Sequence, residues 1–317
     1  MPKISVIMPA YNAEKYIAEA IDSILGQTFG DFEFIILNDC STDRTEEIIL
    51  SYEDPRIVYL KNEQNMGVAA TLNRGLAVAK GEYIARMDAD DISQPYRLEK
   101  QAAFLDSFLE VICCGSAVEK FGLTHGLCAY PNSDKKIKTA LLLSCPFAHP
   151  TVMLRANILH THKITYDSAF EKVEDYQLWT VLAEYGAFHN LHDPLVQYRI
   201  HSNQVSITSS CCQHEGRLKI ATKLMGQSGI SDPKVVNTLV SIFDGVEINH
   251  QCFLHFSSIA PELAENLIVP DRKQLRYMLK SRLIEVALEK KRFLPIKCLP
   301  LVGIKAFMYI GWKGLLR

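Results

Sequence analysis

Short apolar segments alternate with segments of helical periodicity throughout the first hundred residues of this chain. The apolar segments predict four strands, at residues 4–8, 34–37, 57–60 and 83–87. Two later segments, residues 111–114 and 147–154, are also predicted strands. The first predicted helix carries five apolar residues at helical spacing, which are Ile17, Ala20, Ile21, Ile24 and Leu25. Strands that alternate with helices at so short a period form a mostly parallel sheet with helices on both faces. The expected fold class is therefore α/β.

Three carboxylates follow the fourth predicted strand within four positions, as Asp88, Asp90 and Asp91. Clustered carboxylates repel one another unless a cation lies between them. A divalent ion with oxygen ligands, Mg²⁺ or Mn²⁺, relieves this repulsion and commonly binds a phosphate as well. The alternative is an acidic, solvated turn in which one aspartate caps the helix expected after Pro95.

Further polar and aromatic residues follow the first two predicted strands. They are Pro9, Ala10, Tyr11 and Asn12 after the first strand, and Asn38 and Asp39 after the second. Ligands of parallel sheets bind beyond the carboxyl ends of the strands, so these residues and the three aspartates should line one crevice. An aromatic ring, a lone acid and an acid cluster suit a base, a ribose and a diphosphate with its metal. Alternatively, Tyr11 packs on the first helix and Asp39 is a turn acid.

The common glycine-rich phosphate loops are not present in the sequence. It contains no G-x-G-x-x-G and no G-x-x-x-x-G-K-[ST]. A nucleotide would therefore be held by side chains and a metal ion.

Composition argues against several other classes of protein. The net charge of −2 does not favour general nucleic-acid binding, and no run of about eighteen apolar residues predicts a membrane span. The nine cysteines show no zinc-site spacing. Residues 1–3 show no signal-peptide pattern, so we expect reduced cysteines and a cytoplasmic location.

Five blocks in the first hundred residues resemble family 2 glycosyltransferases, which have the GT-A fold. The blocks are residues 6–12, 38–45, 65–67, 73–75 and 81–91. Three later blocks resemble the same family, at residues 147–153, 174–179 and 198–201. The sequence departs from the family where Asn38 replaces a frequent acid and where Leu72 replaces a frequent arginine before Asn73.

The resemblance implies an inverting transfer of a sugar from a nucleotide donor, usually a UDP-sugar, with Mn²⁺ or Mg²⁺ as cofactor. It implies that Tyr11 and Asp39 hold the base and that Asp88 lies near the ribose. Asp90 and Asp91 would serve the metal ion and the diphosphate. The further nucleotide-binding residues that it implies are Pro9, Ala10, Asn12, Asn65, Asn73 and Ala89.

Glu174 and Asp175 precede a predicted apolar helix and are the candidate catalytic residues. Direct displacement at the anomeric carbon needs a carboxylate that takes the proton of the acceptor hydroxyl, on the face opposite the leaving diphosphate. Asp175 is the candidate for this general base. The alternative is that one of the two acids caps the helix.

Two histidines and a tryptophan in the later blocks are weaker candidates. His201 follows a predicted strand and is a candidate metal or diphosphate ligand. A lone histidine is more often a packed or surface residue, and this alternative applies to both His149 and His201. Trp179 is expected in the core rather than at an acceptor site.

The chain is expected to divide into a catalytic GT-A domain at residues 1–205 and a helical region at residues 206–317. From residue 271 onward it has seven Lys and five Arg against one Asp and two Glu. Basic residues beside apolar ones, in the predicted helix 274–290 and in residues 293–312, predict peripheral contact with the inner face of the cell membrane. The alternative is a helical appendage packed on the catalytic domain.

The sequence thus predicts a metal-dependent inverting glycosyltransferase that acts on a saccharide or lipid-linked acceptor in the assembly of a surface polysaccharide. A sugar nucleotidyltransferase is the main enzymatic alternative, but residues 5–15 lack the glycine-rich, basic loop that binds a triphosphate. A non-catalytic nucleotide-sugar-binding scaffold is the other alternative, and the presence of both sets of acids argues against it. No nucleic-acid partner is expected.

Overall fold

The computed structural model of the protein describes residues 1–202, 204, 210–246, 248–289, 294, 295, 298–303, 306 and 310. The chain forms two compact units. The N-terminal unit consists of Met1–Asp134 and Pro146–Ser209, and the helical unit consists of Lys135–Cys145 and Ser210–Arg317. Residues Lys135–Cys145 thus cluster with the helical unit, although the sequence predicted a catalytic domain that runs unbroken to residue 205.

The described part of the N-terminal unit contains a nine-stranded sheet. Its strands are β1 (Ile4–Ala10), β2 (Phe32–Asn38), β3 (Ile57–Lys61), β4 (Tyr83–Arg86), β5 (Ile92–Ser93), β6 (Val111–Gly122), β7 (Gly126–Cys128), β8 (Met153–Arg155) and β9 (Ala187–Ile200). The strand order is β3-β2-β1-β4-β8-β6-β9-β5, and β7 pairs with β6.

The first four strands are parallel, as the alternation of elements predicted. Ile7 at the centre of β1 lies opposite Ile35 of β2 and Arg86 of β4, and β3 continues the parallel pairing beyond β2. The other half of the sheet is mixed, because β8 is antiparallel to both β4 and β6, whereas β6 and β9 are parallel. The aligned ends of β1, β2 and β4 place the residues that follow them at one edge.

Helices cover this sheet and bury their apolar faces against it. They are α1 (Ile17–Leu25), α2 (Thr45–Leu50), α3 (Val68–Val78), α4 (Arg97–Ser107), α6 (Ala156–His162) and α7 (Glu174–Leu182), with 3-10 turns at His149–Thr151 and Ser168–Phe170. In α1, Ile17, Ile21 and Ile24 have no exposed surface and pack with β1, β2 and β4. The helical spacing read from the sequence is therefore the buried face of α1.

Two predicted elements differ from the structure. The strand predicted across residues 147–154 is a 3-10 turn followed by the short strand β8, because Pro150 has no N–H group to donate to a strand ladder. The strand predicted at residues 111–114 continues to Gly122. Gly115 interrupts the apolar pattern from which the strand was predicted. A Cβ atom at this position would lie only 2.3 Å from Asn190 Oδ1, so the pairing of β6 with β9 needs a glycine here.

The helical unit contains α8 (Ser210–Gln227), α9 (Pro233–Asp244), α10 (His250–Asn266), α11 (Arg272–Glu289) and α12 (Leu299–Val302), together with most of α5 (Asp134–Ala140). Side chains cap three of the described helices, since Asp232 accepts from Lys234 N at 2.8 Å, Asn249 accepts from Cys252 N at 2.8 Å and Asp271 accepts from Gln274 N at 2.9 Å. Gly245, in a left-handed conformation, ends α9.

The core of the helical unit includes the apolar residues of the predicted basic helix. Leu275, Leu279, Leu283 and Val286 on α11 are fully buried and pack in a cluster with Leu142 and Leu143. This apolar face of α11 is thus covered by protein, as the alternative of a packed helical region expected for these side chains. Of the predicted segment 293–312, a large part lies outside the described residues. None of the helices in the described ranges is both long enough and apolar enough to cross a bilayer.

Candidate functional site

A pocket of about 610 Å³ lies beyond the carboxyl ends of β1, β2 and β4 in the N-terminal unit. Ten of the residues singled out from the sequence line it, and they are Pro9, Ala10, Tyr11, Asn12, Asp39, Asn65, Asp88, Ala89, Asp90 and His201. Tyr16, Gly67, Glu171 and Lys172 are among the other lining residues. The strand ends and the residue after β9 thus meet in one strand-end pocket.

Asp39 forms the most rigidly held part of this pocket. Its carboxylate is 5% exposed, and Oδ1 accepts hydrogen bonds from Asn62 Nδ2 at 2.7 Å and from Met66 N at 2.8 Å. Oδ2 accepts from Gly67 N at 3.0 Å, and Asn65 Oδ1 also accepts from Gly67 N, at 3.1 Å. Three N–H groups therefore fix the carboxylate before α3 begins at Val68.

Tyr11 and Asn12 also line the strand-end pocket. Tyr11 is 50% exposed, so its ring is not packed into the core against α1. Asn12 has a left-handed backbone, and its Oδ1 accepts from Thr42 N at 2.8 Å, while Asn12 N donates to Ser41 Oγ at 3.0 Å. The turn is thus anchored, and the Tyr11 ring is left free to meet a planar ligand group.

The acid cluster, Asp88, Asp90 and Asp91, brings its carboxylate oxygens within 4.8 Å of one another. Asp91 is 1% exposed, and its Oδ1 accepts from Arg199 N at 2.8 Å. Asp91 Oδ2 is buried and has no hydrogen-bond partner among the residues that the structure describes. Three converging carboxylates with one unsatisfied buried oxygen form an oxygen-rich donor set of the kind that Mg²⁺ and Mn²⁺ bind.

Electrostatics support the same conclusion about this cluster. Burial raises the pKa of Asp91 well above its usual value, and the charges of Asp88 and Asp90 raise it further. Burial also raises the pKa of Asp88, whereas the ion pair that Asp88 makes with the buried guanidinium of Arg86 opposes this shift. Arg86 pairs with Asp88, and the buried Arg97 also interacts with Asp88 and Asp91 through its charge. A divalent cation would supply further positive charge to the three carboxylates.

The end of β9 closes the pocket beside the acid cluster. Arg199 Nε donates to the Asp90 carbonyl at 2.8 Å, and its guanidinium lies over the ring of Tyr16, 4.5 Å from the ring centroid. His201 Nε2 lies 2.9 Å from Asp90 Oδ2, with the His201 and Tyr16 ring centroids 5.0 Å apart. His201 is therefore a partner of one cluster acid, as a second-sphere group or a ligand would be.

Glu174 and Asp175 lie in the first turn of α7, outside the residues that line the strand-end pocket. The cap residue is Val173, but both acids lie at the helix N-terminus and Asp175 Oδ1 accepts from Tyr176 N at 2.7 Å, which agrees with the alternative that these acids stabilise the helix start. Glu174 is 6% exposed and its Oε2 has no hydrogen-bond partner among the described residues. Burial, and then the charge of Asp175, raises the pKa of Glu174 to about 7. Asp175 is half-buried, and its charge also raises the pKa of Asp88.

Asn73 and His149 hold structure together rather than line the pocket. Asn73 Nδ2 donates to Tyr166 O at 2.8 Å and its Oδ1 accepts from Tyr166 N at 2.8 Å, so this amide joins α3 to the segment before α7. Asn73 is not among the residues that line the strand-end pocket. Burial lowers the pKa of His149 well below its usual value, and His149 Nε2 lies 2.8 Å from the Tyr166 hydroxyl. Trp179 is fully buried, as expected.

Several residues around the site were not singled out from the sequence. Asn62 follows β3 and contacts Asp39, and Arg86 is the buried counter-ion of Asp88. The strand-end rule that drew attention to Asp39 applies equally to the third strand, so Asn62 was open to the same inference. Arg86 is the last residue of β4. A single charged residue in an otherwise apolar predicted strand, shortly before three acids, was the sequence signal that could have identified it.

The comparisons with known proteins all point to glycosyltransferases. The model for "Glycosyl transferase family 2" matches residues 5–155. An uncharacterized glycosyltransferase of Haemophilus influenzae is 37% identical over 258 residues, which cover 75% of this chain and 79% of that protein. The UDP-Glc:alpha-D-GlcNAc-diphosphoundecaprenol beta-1,3-glucosyltransferase WfgD of Escherichia coli is 31% identical over 215 residues, which cover 65% of this chain and 80% of that protein.

Among solved structures, S. aureus TarS 1-349 in complex with UDP-GlcNAc has a similar fold. The match has a TM-score of 0.60 at 21% identity and covers 99% of this chain and 88% of the TarS chain. At this identity the likeness concerns the fold, which is a GT-A-like α/β sheet with C-terminal helices.

Proposed function

Because this chain belongs to glycosyl transferase family 2, we propose that it transfers a sugar from a UDP-sugar to an acceptor hydroxyl, with inversion at the anomeric carbon. Membership of the family makes the protein a glycosyltransferase that acts on nucleotide sugars, and sets aside the sugar nucleotidyltransferase alternative. The observation that carries the proposal is the meeting of Tyr11, Asp39 and two members of the acid cluster, Asp88 and Asp90, in one strand-end pocket.

The donor would bind with its base at the Asp39 end and its diphosphate at the acid cluster. The exposed ring of Tyr11 offers a face for base stacking, and the fixed Asp39 carboxylate accepts an N–H of the base. Pro9, Ala10, Asn12 and Asn65 line the same end. A UDP donor is favoured by the name of WfgD and by the UDP-GlcNAc complex of TarS.

Asp90 and Asp91, with Asp88, would hold a Mg²⁺ or Mn²⁺ ion. The unsatisfied Oδ2 of Asp91 and the three converging carboxylates of the acid cluster fit such an ion. A bound ion would neutralise charge on the leaving diphosphate. His201, hydrogen-bonded to Asp90, would orient that carboxylate or join the ligand set.

Asp175 would be the general base and Glu174 its buried neighbour. Asp175 is half-buried and can reach a bound acceptor, whereas Glu174 is only 6% exposed. In the proposed step, the acceptor oxygen bonds to the anomeric carbon as its proton passes to the Asp175 carboxylate and the bond to the diphosphate breaks. Attack from the face opposite the diphosphate inverts the configuration.

The proposed acceptor is a saccharide or a lipid-linked saccharide, and we infer a peripheral membrane contact for its delivery. One face of α11 carries the exposed residues Lys273 and Tyr277, with Tyr277 66% exposed, and the half-buried Lys280. Basic and aromatic side chains on one face favour an anionic bilayer surface. WfgD is named for a diphosphoundecaprenol acceptor, which supports a lipid-linked substrate here.

A flotation assay with anionic liposomes tests the membrane contact. We expect the intact protein to float at low salt and to be released at high salt, because the attraction is electrostatic. Changing both Lys273 and Lys280 to Glu should abolish flotation. Changing both Lys219 and Lys223 on α8 to Glu is the matched control, since these exposed lysines give the same charge change. An intact protein that stays unbound would overturn the membrane proposal.

The donor proposal is tested by thermal stabilisation with UDP, GDP, CDP and ADP, with and without Mn²⁺. A ligand that binds the native state raises its melting temperature, so we expect the largest rise with UDP and Mn²⁺ together. A larger rise with another nucleotide would overturn the UDP assignment. No rise with any nucleotide would overturn the donor pocket. Inversion is checked by NMR of the anomeric configuration of the product.

A further inference from the structure

Asn62 lies directly behind the Asp39 carboxylate and is itself 2% exposed. Asn62 follows β3, and its backbone N donates to the carbonyl of Asn38 at 2.9 Å. This hydrogen bond places Asn62 beside Asn38, the residue before Asp39. Its Nδ2 donates to Asp39 Oδ1 at 2.7 Å and to Thr71 Oγ1 at 2.8 Å. Its Oδ1 accepts from Arg74 Nη1 at 2.6 Å. Both N–H groups and the oxygen of this buried amide are therefore used.

The chemistry of the neighbours fixes which way this amide points. Arg74 can only donate, and a carboxylate can only accept. The oxygen of Asn62 must therefore face Arg74, and its nitrogen must face Asp39. Arg74 is anchored in turn by its hydrogen bond to the Lys61 carbonyl at 2.5 Å. An ordered chain of donors thus runs from Arg74 on α3 through Asn62 to Asp39.

This chain determines what Asp39 presents to the pocket. Asn62 and Met66 donate to Oδ1 and Gly67 donates to Oδ2. A carboxylate surrounded by N–H donors offers a ligand only acceptor lone pairs. A base must then supply an N–H at this point. Uracil does so at N3, whereas cytosine has an acceptor at N3, and a site built to accept a hydrogen bond at that position discriminates against a base without a donor there.

We propose that Asn62, held by Arg74, is a positioning residue that orients the Asp39 carboxylate and thereby determines which nucleobase the enzyme accepts. The inference rests on the proposed function, because it assumes that the base of a nucleotide donor binds at Asp39. Asn62 contacts no ligand itself in this proposal. Its effect is on the selectivity between bases rather than on the sugar-transfer step.

The test compares the affinities for UDP and CDP of the intact protein and of its Asn62→Asp variant, by calorimetry with Mn²⁺. This substitution keeps the shape of the side chain and its acceptor for Arg74, but replaces the donor to Asp39 by a carboxyl group. The two carboxyls would repel each other or hold one proton between them, so Asp39 would lose the direction in which Asn62 fixes it and would accept the uracil N3–H less well, a contact that cytosine N3 does not make. We expect the preference for UDP over CDP to fall at least about tenfold, which corresponds to ~1.4 kcal/mol.

A second pair of variants keeps the test decisive if Asn62→Asp does not fold. Arg74→Met removes the anchor and should lower the UDP preference in the same direction, while Arg74→Lys retains a donor and should restore most of it. Asn190→Asp is the matched control, because Asn190 is a buried amide that donates to the Pro131 and Pro146 carbonyls. It should reduce stability without changing the ratio of affinities.

The kinetic counterpart separates positioning from a general structural effect. In Asn62→Asp, KM for the UDP-sugar should rise while kcat at saturation changes less, because the reacting groups are untouched. An unchanged UDP-to-CDP ratio in folded Asn62→Asp would overturn the inference even if the intact protein binds UDP. Intact protein that binds UDP and CDP equally would also overturn it. Intact protein that binds no nucleotide would instead overturn the proposed function, and this inference with it.

Discussion

The Nε2 atom of His201 lies 2.9 Å from Oδ2 of Asp90, although 111 positions separate the two residues in the chain. The contact joins the end of β9 to the turn after β4. It also places an imidazole beside a cluster of three carboxylates, where it can hold one of them in a fixed direction. The metal site proposed at Asp90 and Asp91 thus depends on a residue from the far end of the N-terminal unit.

Replacing His201 should weaken metal binding and change the folding stability only slightly. We expect His201→Ala to raise the Mn²⁺ dissociation constant about tenfold, within the range typical of groups that orient metal ligands. A Mn²⁺ titration followed by nucleotide-dependent thermal stabilisation measures this. His162→Ala is a suitable control, because His162 is exposed and its ring lies near Tyr185. Unchanged metal affinity and unchanged turnover together would contradict a role for His201.

Asp91→Asn should have opposite effects with and without metal. The amide still accepts from Arg199 N but removes one charge from the acid cluster, so the metal-free protein should become more stable by ~1 kcal/mol, or about 2–4 °C. The rise in melting temperature that Mn²⁺ and UDP give the unmodified protein should be lost. Calorimetry with EDTA or Mn²⁺ measures both arms. A variant stabilised by metal as strongly as the unmodified protein would show that Asp91 is not a ligand.

Asp175→Asn should abolish sugar transfer and leave nucleotide binding nearly intact. Loss of a general base lowers the rate about 10²- to 10⁴-fold, while Asp175 does not line the strand-end pocket where the donor would bind. Parallel measurements of turnover and of UDP affinity distinguish the two. Loss of both properties, or of neither, would count against the role of general base.

Glu174 should make stability depend on pH. Its pKa is raised to about 7 in the folded state, so the folded state binds this proton more tightly than the unfolded state. The resulting stabilisation is complete below the ordinary carboxyl pKa and is lost as pH rises through about 7. It amounts to on the order of 2–3 kcal/mol. Glu174→Gln should remove this part of the decline in the free energy of unfolding. Unfolding curves of both proteins between pH 5 and pH 8.5 would then show a difference in stability that widens as pH rises. Parallel curves would contradict it.

Tyr11→Ala should weaken UDP binding by ~1–3 kcal/mol, the usual contribution of one aromatic ring stacked on a base. Folding should be little affected, because the ring is 50% exposed. Calorimetric titration with UDP gives the affinity. Tyr277→Ala, at an exposed tyrosine of the helical unit, should leave it unchanged. If Tyr11→Ala binds UDP normally, the base does not stack on this ring.

Much of the N-terminal half of the fold could be predicted because its signals are local. The buried stripe of α1 and the apolar strands β1 to β4 are encoded by spacing within a few residues. The position of the acid cluster followed from the same strand ends. The turn at Pro150 and the length of β6 depend on partners far along the chain, so local spacing did not specify them.

The candidate site shows the same division between local and distant information. Asp39 could be singled out from its place after a strand, but its orientation comes from Asn62 and Gly67, which lie on other segments. Asn73 matched a family block, yet its amide pairs with the backbone of Tyr166, 93 positions away. Sequence patterns therefore identified chemical groups more reliably than their neighbours.

Leu142 and Leu143 belong to the core of the helical unit, although the chain returns to the N-terminal unit at Pro146. During synthesis on the ribosome, these two leucines emerge well before the helices against which they pack. The growing chain must therefore carry an apolar segment without partners until α8 to α11 have been made, a state that favours chaperone binding or aggregation. Expression of residues 1–209 alone would make that temporary condition permanent.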